Sequence, residues 1–221
     1  MLSPKAVSFL NNNQEYFGGK GNRKQMADSL VKKASLSRAQ SIAFVGLTIA
    51  LIAVGAWITV PIGPIPFTLG VFVIAFAFLV LPGWLPVAAI AGYLLLGAIG
   101  VPVFSGMRGG IGVLMGPTGG FLLGYLAAAF ACVGIVRIMR GSDRTAVSTG
   151  REIATGIVVG VVYLAIIYVC GWAQYMFVAN VSAMQSFAVT VAPFVVVDLI
   201  KIVAAIFVAI VVRRAVGTLN G

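Results

Sequence analysis

The chain has 221 residues, of which 61% are hydrophobic and 9% charged, and its formal net charge is +10. A mean hydropathy of +1.09 excludes an ordinary water-soluble domain and indicates a polytopic membrane protein. The basic residues border apolar segments instead of covering a folded face, which argues against nucleic-acid binding. The sequence has no histidine, and Cys132 and Cys170 fall inside apolar segments. We therefore expect no metal site, no disulfide framework and no cofactor.

The N-terminal segment, residues 1–38, is polar and carries more Lys and Arg than Asp and Glu. It lacks the apolar stretch of a cleavable secretory signal. We expect a poorly ordered, basic cytoplasmic tail that helps to set the orientation of the chain. The alternative is a segment that lies on anionic lipid headgroups or docks a partner. We predict one membrane domain over residues 39–214 and a short C-terminal tail at 215–221.

The apolar segments leave room for six transmembrane helices at about 20 residues each, which predicts an all-α integral membrane fold. The predicted spans cover residues 39–60, 67–81, 84–97, 117–138, 154–175 and 191–212. Between the third and fourth spans, residues 100–114 are too apolar for a solvated loop, so we predict a structured reentrant or capping loop on the outer side. Residues 179–186 are predicted to form a polar outer loop.

Small residues recur along two of the predicted spans. In the fourth span they stand four apart, which predicts a stripe for close helix packing, part of the scaffold and not of a site. The stripe comprises Gly116, Gly120, Gly124, Ala128 and Cys132. The first span carries a similar strip that includes Ala39, Ala43, Gly46 and Ala50, and it would let another helix approach closely.

The distribution of Lys and Arg predicts the orientation. These residues concentrate in the N-terminal segment, in residues 137–151 and at the C-terminus, whereas the opposite connections carry only Arg108. By the positive-inside rule both termini are cytoplasmic and Arg108 lies outside. We therefore expect a multi-pass protein of the cell membrane.

Away from the cytoplasmic flanks, the ionisable residues reduce to Arg108, Asp198 and Lys201. A charge within the membrane costs at least about 2.5–3.5 kcal/mol and by default indicates a functional site. Asp198 and Lys201 are three residues apart and share a helix face. Together with Arg108 they suit a small ligand that has a urea-like head and a carboxylate tail. The alternatives are a neutralised pair that merely lets the helix insert and a solvated Arg108.

The chain carries no Walker A spacing and, without histidine, no histidine-based catalytic triad. We therefore expect no enzymatic activity, and this chain alone cannot hydrolyse ATP.

Several motifs in a fixed order carry a resemblance to a known family over about residues 40–214. They are Pro61-Ile62-Gly63-Pro64-Ile65-Pro66, residues 97–104, Gly116-Pro117-Thr118-Gly119-Gly120 and Asp198-xx-Lys201. In these motifs the chain resembles the BioY family, the biotin-binding S-components of energy-coupling-factor (ECF) vitamin transporters.

The resemblance implies that biotin is bound from outside by Arg108, Asp198 and Lys201, with Tyr93 as a neighbour. It also implies that a separate transmembrane coupling protein with two ATPases drives delivery inward. Where the family often has glutamine after Thr-Leu, this chain has Gly70, so a contact from that position is lost.

The resemblance further implies that small residues on the first helix dock the coupling protein. Ala39 and Ala43 fit that pattern but stand at the very start of the span, so we prefer Gly46 and Ala50, which stand deeper. Ordinary packing inside the protein is the alternative for these residues.

Two other functions stay open at this point. One is an S-component for a different vitamin, which would keep the fold and change the pocket. The other is a secondary transporter that uses Asp198 as a proton site and needs no ATPase.

Overall fold

The computed structural model describes residues 37–61, 63–140 and 148–219, with side chains up to Ala215. Most of the predicted N-terminal tail, residues 1–36, therefore lies outside the described residues, as do 141–147 of the basic connection and the last two residues. The helices are α1 Arg38–Trp57, α2 Gly70–Val80, α3 Leu85–Ala98, α4 Ile111–Leu114, α5 Gly119–Arg140, α6 Thr149–Ala179, α7 Ala183–Thr190 and α8 Val195–Leu219. Two short strands, β1 Thr59–Val60 and β2 Phe67–Thr68, pair antiparallel.

The chain divides into two compact units, residues 1–43 and 44–221. In the first unit the described part is the beginning of α1. There the Ser37 hydroxyl accepts from the Gln40 amide N–H and the Gln40 side chain accepts from the Ser37 amide N–H, at 3.1 and 2.9 Å. This reciprocal pair satisfies two N–H groups at the helix start.

Within the described residues, four helices are long and apolar enough to cross a membrane. They are α1, α5, α6 and the first 21 residues of α8. Each has at least 20 residues, and 20 residues at 1.5 Å per residue match a hydrocarbon core of about 30 Å. The chain is thus a helical membrane protein. The second and third predicted spans correspond to the shorter apolar helices α2 and α3, of 11 and 14 residues.

Helix α6 and the stretch after it differ from the predicted boundaries. The helix extends to Ala179, where Asn180 adopts a left-handed conformation that ends it, and α7 begins inside the predicted outer loop. A capping box between Ser182 and Gln185 starts α7, because each side chain satisfies a backbone N–H of the other. Helix α8 begins at Val195 instead of Val191, just after Pro193, which disfavours helical geometry in the residue before it.

The small-residue stripe of α5 faces α6. A Cβ on Gly120 would overlap the carbonyl oxygen of Cys170, and a Cβ on Gly124 would stand 3.1 Å from the Cα of Ile167. Further along, the Cys132 thiol lies 3.7 Å from the Val159 carbonyl oxygen. The two backbones therefore approach closely along this seam.

On its other side, α6 packs against α8 through two further glycines. A Cβ on Gly156 would approach Ile206 to 2.6 Å, and one on Gly160 would overlap Ile202. The isoleucines fill the space that the missing side chains leave open. This seam fixes the position of α6 relative to α8.

At the end of the bundle where α2 terminates, two arginines bind the same backbone carbonyl. Arg140 and Arg213 donate to the Leu79 carbonyl oxygen at 2.7 and 3.2 Å, and Arg213 also pairs with Glu152 at 3.1 Å. Cations are favourable at a helix C-terminus because its last carbonyl groups lack partners inside the helix. We expected Arg140 only as an orientation signal, but it is buried and caps α2.

The α5–α6 seam leads to a first prediction. Gly120→Ala should lower the thermal unfolding temperature of the purified chain in detergent, because the new methyl group meets backbone, which cannot turn aside. Overpacking of this kind costs about 1–3 kcal/mol. Gly134→Ala in the same helix is the matched control, since a Cβ at that position meets nothing within 4 Å. Equal unfolding temperatures for the two variants would contradict the packing described.

Candidate functional site

A single pocket brings together residues from most of the helices. It encloses about 730 Å³ of empty volume, its open mouth included. Its walls are mainly apolar and aromatic and its polar groups are few. The lining residues are Ile52, Ala56, Ile65, Pro66, Thr68, Gly70, Val71, Tyr93, Phe104, Ser105, Arg108, Val113, Thr118, Phe121, Leu122, Tyr125, Ile167, Tyr168, Phe194, Asp198 and Lys201.

The polar centre of this pocket lies in the first two turns of α8. The Lys201 ammonium and the Asp198 carboxylate form an ion pair, with 2.8 Å between Nζ and Oδ1. Asp198 is 3% exposed. The hydroxyl of Tyr168, on α6, donates to the other carboxylate oxygen, Oδ2, also at 2.8 Å. The buried carboxylate therefore has a charged partner on one oxygen and a neutral donor on the other.

The ammonium of this pair also contacts an aromatic ring. The Lys201 Nζ lies 5.8 Å from the ring centroid of Phe67, within the range of a cation–π contact. Phe67, on β2, stacks in turn on Phe194 with 4.2 Å between centroids. The ammonium is thus placed by an ion pair and a ring. Asp198 and Phe194 line the pocket, and Phe67 supports them from behind Phe194 and Lys201.

Arg108 lies at the edge of the same pocket, in a tight turn of residues 100–114, which we call the outer segment after its predicted position. Phe104 and Arg108 pair as an antiparallel bridge, and Gly106 and Met107 between them take positive φ values of 71° and 55°. The Arg108 Nε donates to the Ser105 carbonyl oxygen at 3.1 Å, and the residue is exposed. Its guanidinium therefore stands at the border between pocket and solvent.

Tyr93, on α3, is buried in the pocket wall. Its ring meets Phe104 edge to face with 5.4 Å between centroids, and Tyr93 is 1% exposed. The Phe104 ring in turn lies directly on Gly97, where any Cβ would overlap it. The glycine of α3 thus lets the outer segment sink onto the helix and form the pocket wall.

Hydrogen bonds fasten the outer segment at both of its ends. The Gln174 amide of α6 donates to the carbonyl oxygens of Leu114 and Gly116, each at 2.8 Å. At the other end, the Trp57 indole donates to the Pro102 carbonyl oxygen at 2.8 Å. The segment that carries Arg108 is therefore attached to α1 by Trp57 and to α6 by Gln174.

All four residues that the sequence predicts as ligand contacts, Tyr93, Arg108, Asp198 and Lys201, line this pocket. The predicted docking residues Gly46 and Ala50 do not; both are exposed on α1, and a Cβ on Gly46 meets nothing within 4 Å.

Sequence reasoning did not find Tyr168, which resembles the many other aromatic residues of the apolar spans. It also missed the pocket hydroxyls. These belong to Thr68, Ser105 and Thr118.

The site combines a buried donor and acceptor side by side, apolar walls, and a guanidinium at the mouth. Such a site can bind a small, mostly apolar molecule that has a polar head and a negative charge at its far end. Fold and pocket together define a polytopic helical membrane protein with a mainly apolar pocket that holds an ion pair.

Comparisons with known proteins agree with this class. The model of the BioY family matches residues 26–218. The chain is 40% identical to the biotin transporter BioY of Thermotoga maritima over 172 residues, which are 76% of this chain and 93% of the relative. It is 38% identical to a probable biotin transporter BioY of Pyrococcus horikoshii, over 78% of this chain and 95% of the relative. The chain belongs to the BioY family.

A solved structure shows the same fold. It is the crystal structure at 2.1 Å of the S-component for biotin from an ECF-type ABC transporter, and it matches with a TM-score of 0.69. The match covers 82% of this chain and 94% of that one at 21% identity.

Proposed function

We propose that this chain is the substrate-capture component of an ECF-type biotin uptake transporter. It binds biotin from outside and delivers it inward together with a separate ATP-driven module. The observation that carries the proposal is the ion pair of the buried Asp198 and the partly buried Lys201 in the pocket wall, in a chain that belongs to the BioY family.

The ion pair suits one edge of a cyclic urea. In such a ring each N–H stands beside the carbonyl oxygen, so the edge offers a donor and an acceptor next to each other. The Asp198 carboxylate only accepts hydrogen bonds and the Lys201 ammonium only donates them. The two groups are 2.8 Å apart. In our proposal Asp198 accepts from a ureido N–H while Lys201 donates to the ureido oxygen.

The rest of biotin is apolar until its carboxylate. Its sulfur-containing ring and valeryl chain would lie against the aromatic and aliphatic walls, including the buried Tyr93 ring. The carboxylate would then meet Arg108 at the pocket mouth. A guanidinium is well suited to this contact because its planar fork can donate two parallel hydrogen bonds to one carboxylate.

We further propose that α2 and α3 complete a set of six spans, as short helices that lie tilted or partly shielded by their neighbours. The excess of Lys and Arg on one side of the bundle supports cytoplasmic termini. Arg108 and the pocket mouth then face outward, which is the side from which an uptake protein must capture its solute.

In this proposal the energy comes from partners, since the sequence carries no Walker A spacing. We propose that a transmembrane coupling protein docks on α1 through Gly46 and Ala50 and links this chain to two ATPases. Both residues are exposed within the second unit and are not used for packing inside it. Small residues on an open helix face allow a second helix to approach closely.

A proton-coupled secondary transporter has less support. Asp198 would have to gain and lose a proton during transport, yet Lys201 and Tyr168 both bond to its carboxylate.

Titration calorimetry on the purified, biotin-free chain tests the proposal. Wild type should bind biotin one to one, and Asp198→Asn and Lys201→Ala should each weaken binding by at least about tenfold, because each removes a hydrogen bond to a charged group. Gly134→Ala, which changes no pocket residue, should bind as wild type does. A folded wild type that binds another vitamin and not biotin would contradict the substrate and keep the fold.

The role of Arg108 is tested with two ligands. Arg108→Ala should weaken binding of biotin more than binding of biotin amide, since the amide carries no charge for the guanidinium to bind. An exposed ion pair contributes about 0.2–1 kcal/mol, so the expected difference is a factor of about 1.4 to 5. Equal losses for the two ligands would show that Arg108 does not bind the carboxylate.

The docking surface is tested with Gly46→Leu. The larger side chain should prevent co-purification with the coupling protein and its ATPases, because it fills the space that a second helix would occupy. Biotin binding by the isolated chain should persist, since a Cβ at residue 46 meets nothing within 4 Å. Gly134→Leu serves as the control for a leucine at another open glycine. Normal assembly of the Gly46→Leu chain would exclude this surface.

A further inference from the structure

The hydroxyl of Tyr168 has no place in the function proposed so far. It donates to Asp198 Oδ2 at 2.8 Å from a neighbouring helix, and Tyr168 lines the pocket. We propose that Tyr168 is a positioning residue that fixes the Asp198 carboxylate for one donor group of the ligand head and so sets the specificity of the pocket. This inference rests on the proposed function, because it deepens the role of the same site.

Two hydrogen bonds restrict the rotation of the Asp198 carboxylate. The terminal torsion of an aspartate side chain is broad, so a carboxylate with one partner can rotate about its Cβ–Cγ bond. Lys201 bonds to Oδ1 only, from the same helix and through a flexible stem. Tyr168 bonds to Oδ2 from α6. With one bond on each oxygen from two different helices, the plane of the carboxylate is fixed.

The Asp198 carboxylate keeps acceptor sites that a ligand can use. A carboxylate has about four lone-pair sites, two on each oxygen. Tyr168 and Lys201 occupy one on each, which leaves one site per oxygen for a ligand. Because the plane is fixed, these sites point in defined directions, and a ligand must bring an N–H or O–H to one of them.

The donor on the second carboxylate oxygen is uncharged, which affects the net charge of the site. A phenol donates a hydrogen bond without adding charge, so the group formed by Asp198, Lys201 and Tyr168 stays neutral overall. A second cation in the place of Tyr168 would leave an excess positive charge in the pocket and would favour an anionic head. The neutral group favours a neutral head with a donor and an acceptor side by side, such as a cyclic urea or a lactam.

The rigidity of the support makes this assignment specific to Tyr168. Gly160, two turns before Tyr168 on α6, packs directly against Ile202, one turn after Asp198 on α8. The relative position of the two helices is therefore set close to the hydrogen bond. A hydroxyl held in this way reduces the entropy that the carboxylate would lose on binding, which is the general advantage of a preorganised site.

The test uses Tyr168→Phe, which removes the hydroxyl and keeps the ring. The probes are biotin and the two biotin analogues in which one ureido N–H or the other is replaced by N–CH₃. For each protein, calorimetry gives the dissociation constants and their ratios. We expect wild type to discriminate strongly against one of the analogues, because its methyl group meets the fixed acceptor.

In Tyr168→Phe we expect biotin to bind about tenfold more weakly, as for the loss of a hydrogen bond to a charged group. We expect the discrimination between biotin and that analogue to fall by a similar factor, because the freed carboxylate can turn away from the methyl group. A merely structural role would weaken all three ligands equally and leave the ratio unchanged.

Tyr163→Phe is the matched control. Tyr163 lies on the same helix and is fully buried, and its hydroxyl has no hydrogen-bond partner among the described residues. Removing that hydroxyl should change neither the affinity nor the ratio.

A wild-type chain that does not bind biotin would overturn the proposed function. A wild type that binds biotin, with a Tyr168→Phe variant of unchanged ratio, would overturn the role of Tyr168 alone.

Discussion

The structure depends on the burial of one carboxylate in an apolar helix. Asp198 is 3% exposed, and an unpaired charge in such a place would cost several kcal/mol. Lys201 supplies the opposite charge from the next turn, and Tyr168 supplies a further hydrogen bond from α6. This arrangement makes the charge tolerable and leaves it facing the pocket. A pair that served only insertion into the membrane would be stable anywhere on the helix, whereas this pair lines a pocket of about 730 Å³.

Glycines away from the pocket let the helices that carry Asp198 and Tyr168 pack closely. Gly156 and Gly160 let α8 pack onto α6, and Gly120 and Gly124 let α6 pack onto α5. Without an appreciable hydrophobic driving force between helices in lipid, close backbone packing is a main source of their association. Because α6 is held on both sides, it can carry Tyr168 to Asp198 and also Gln174 to the outer segment. The scaffold and the polar centre are thus parts of one set of contacts.

The sequence predicted residues that stand out because a charge in the membrane is costly. It missed residues whose role depends on contacts between distant parts of the chain. Asp198 and Lys201 could be found because charges in apolar helices are rare, and Arg108 because its side of the chain has no other cation. Tyr168 could not be found, since a tyrosine in a membrane span has many possible roles and its partner stands 30 residues away. Helix α7 does carry a sequence signal, because Ser182 and Gln185 fit a capping box, but the polar composition of residues 179–186 favours a loop. Arg140 resembled an orientation signal, and only its contact with the end of α2 distinguishes it from its neighbours.

In the proposed function, helix α1 takes part both in docking the coupling protein and in binding the solute. Gly46 and Ala50 lie on one face, open to a partner, whereas Ile52 and Ala56 line the pocket from another. At 3.6 residues per turn these two pairs point in clearly different directions. A coupling protein could therefore cover the first face without obstructing the pocket. Since Trp57, at the end of the same helix, also anchors Pro102 of the outer segment, any shift of α1 on docking would act on both the wall and the mouth of the pocket.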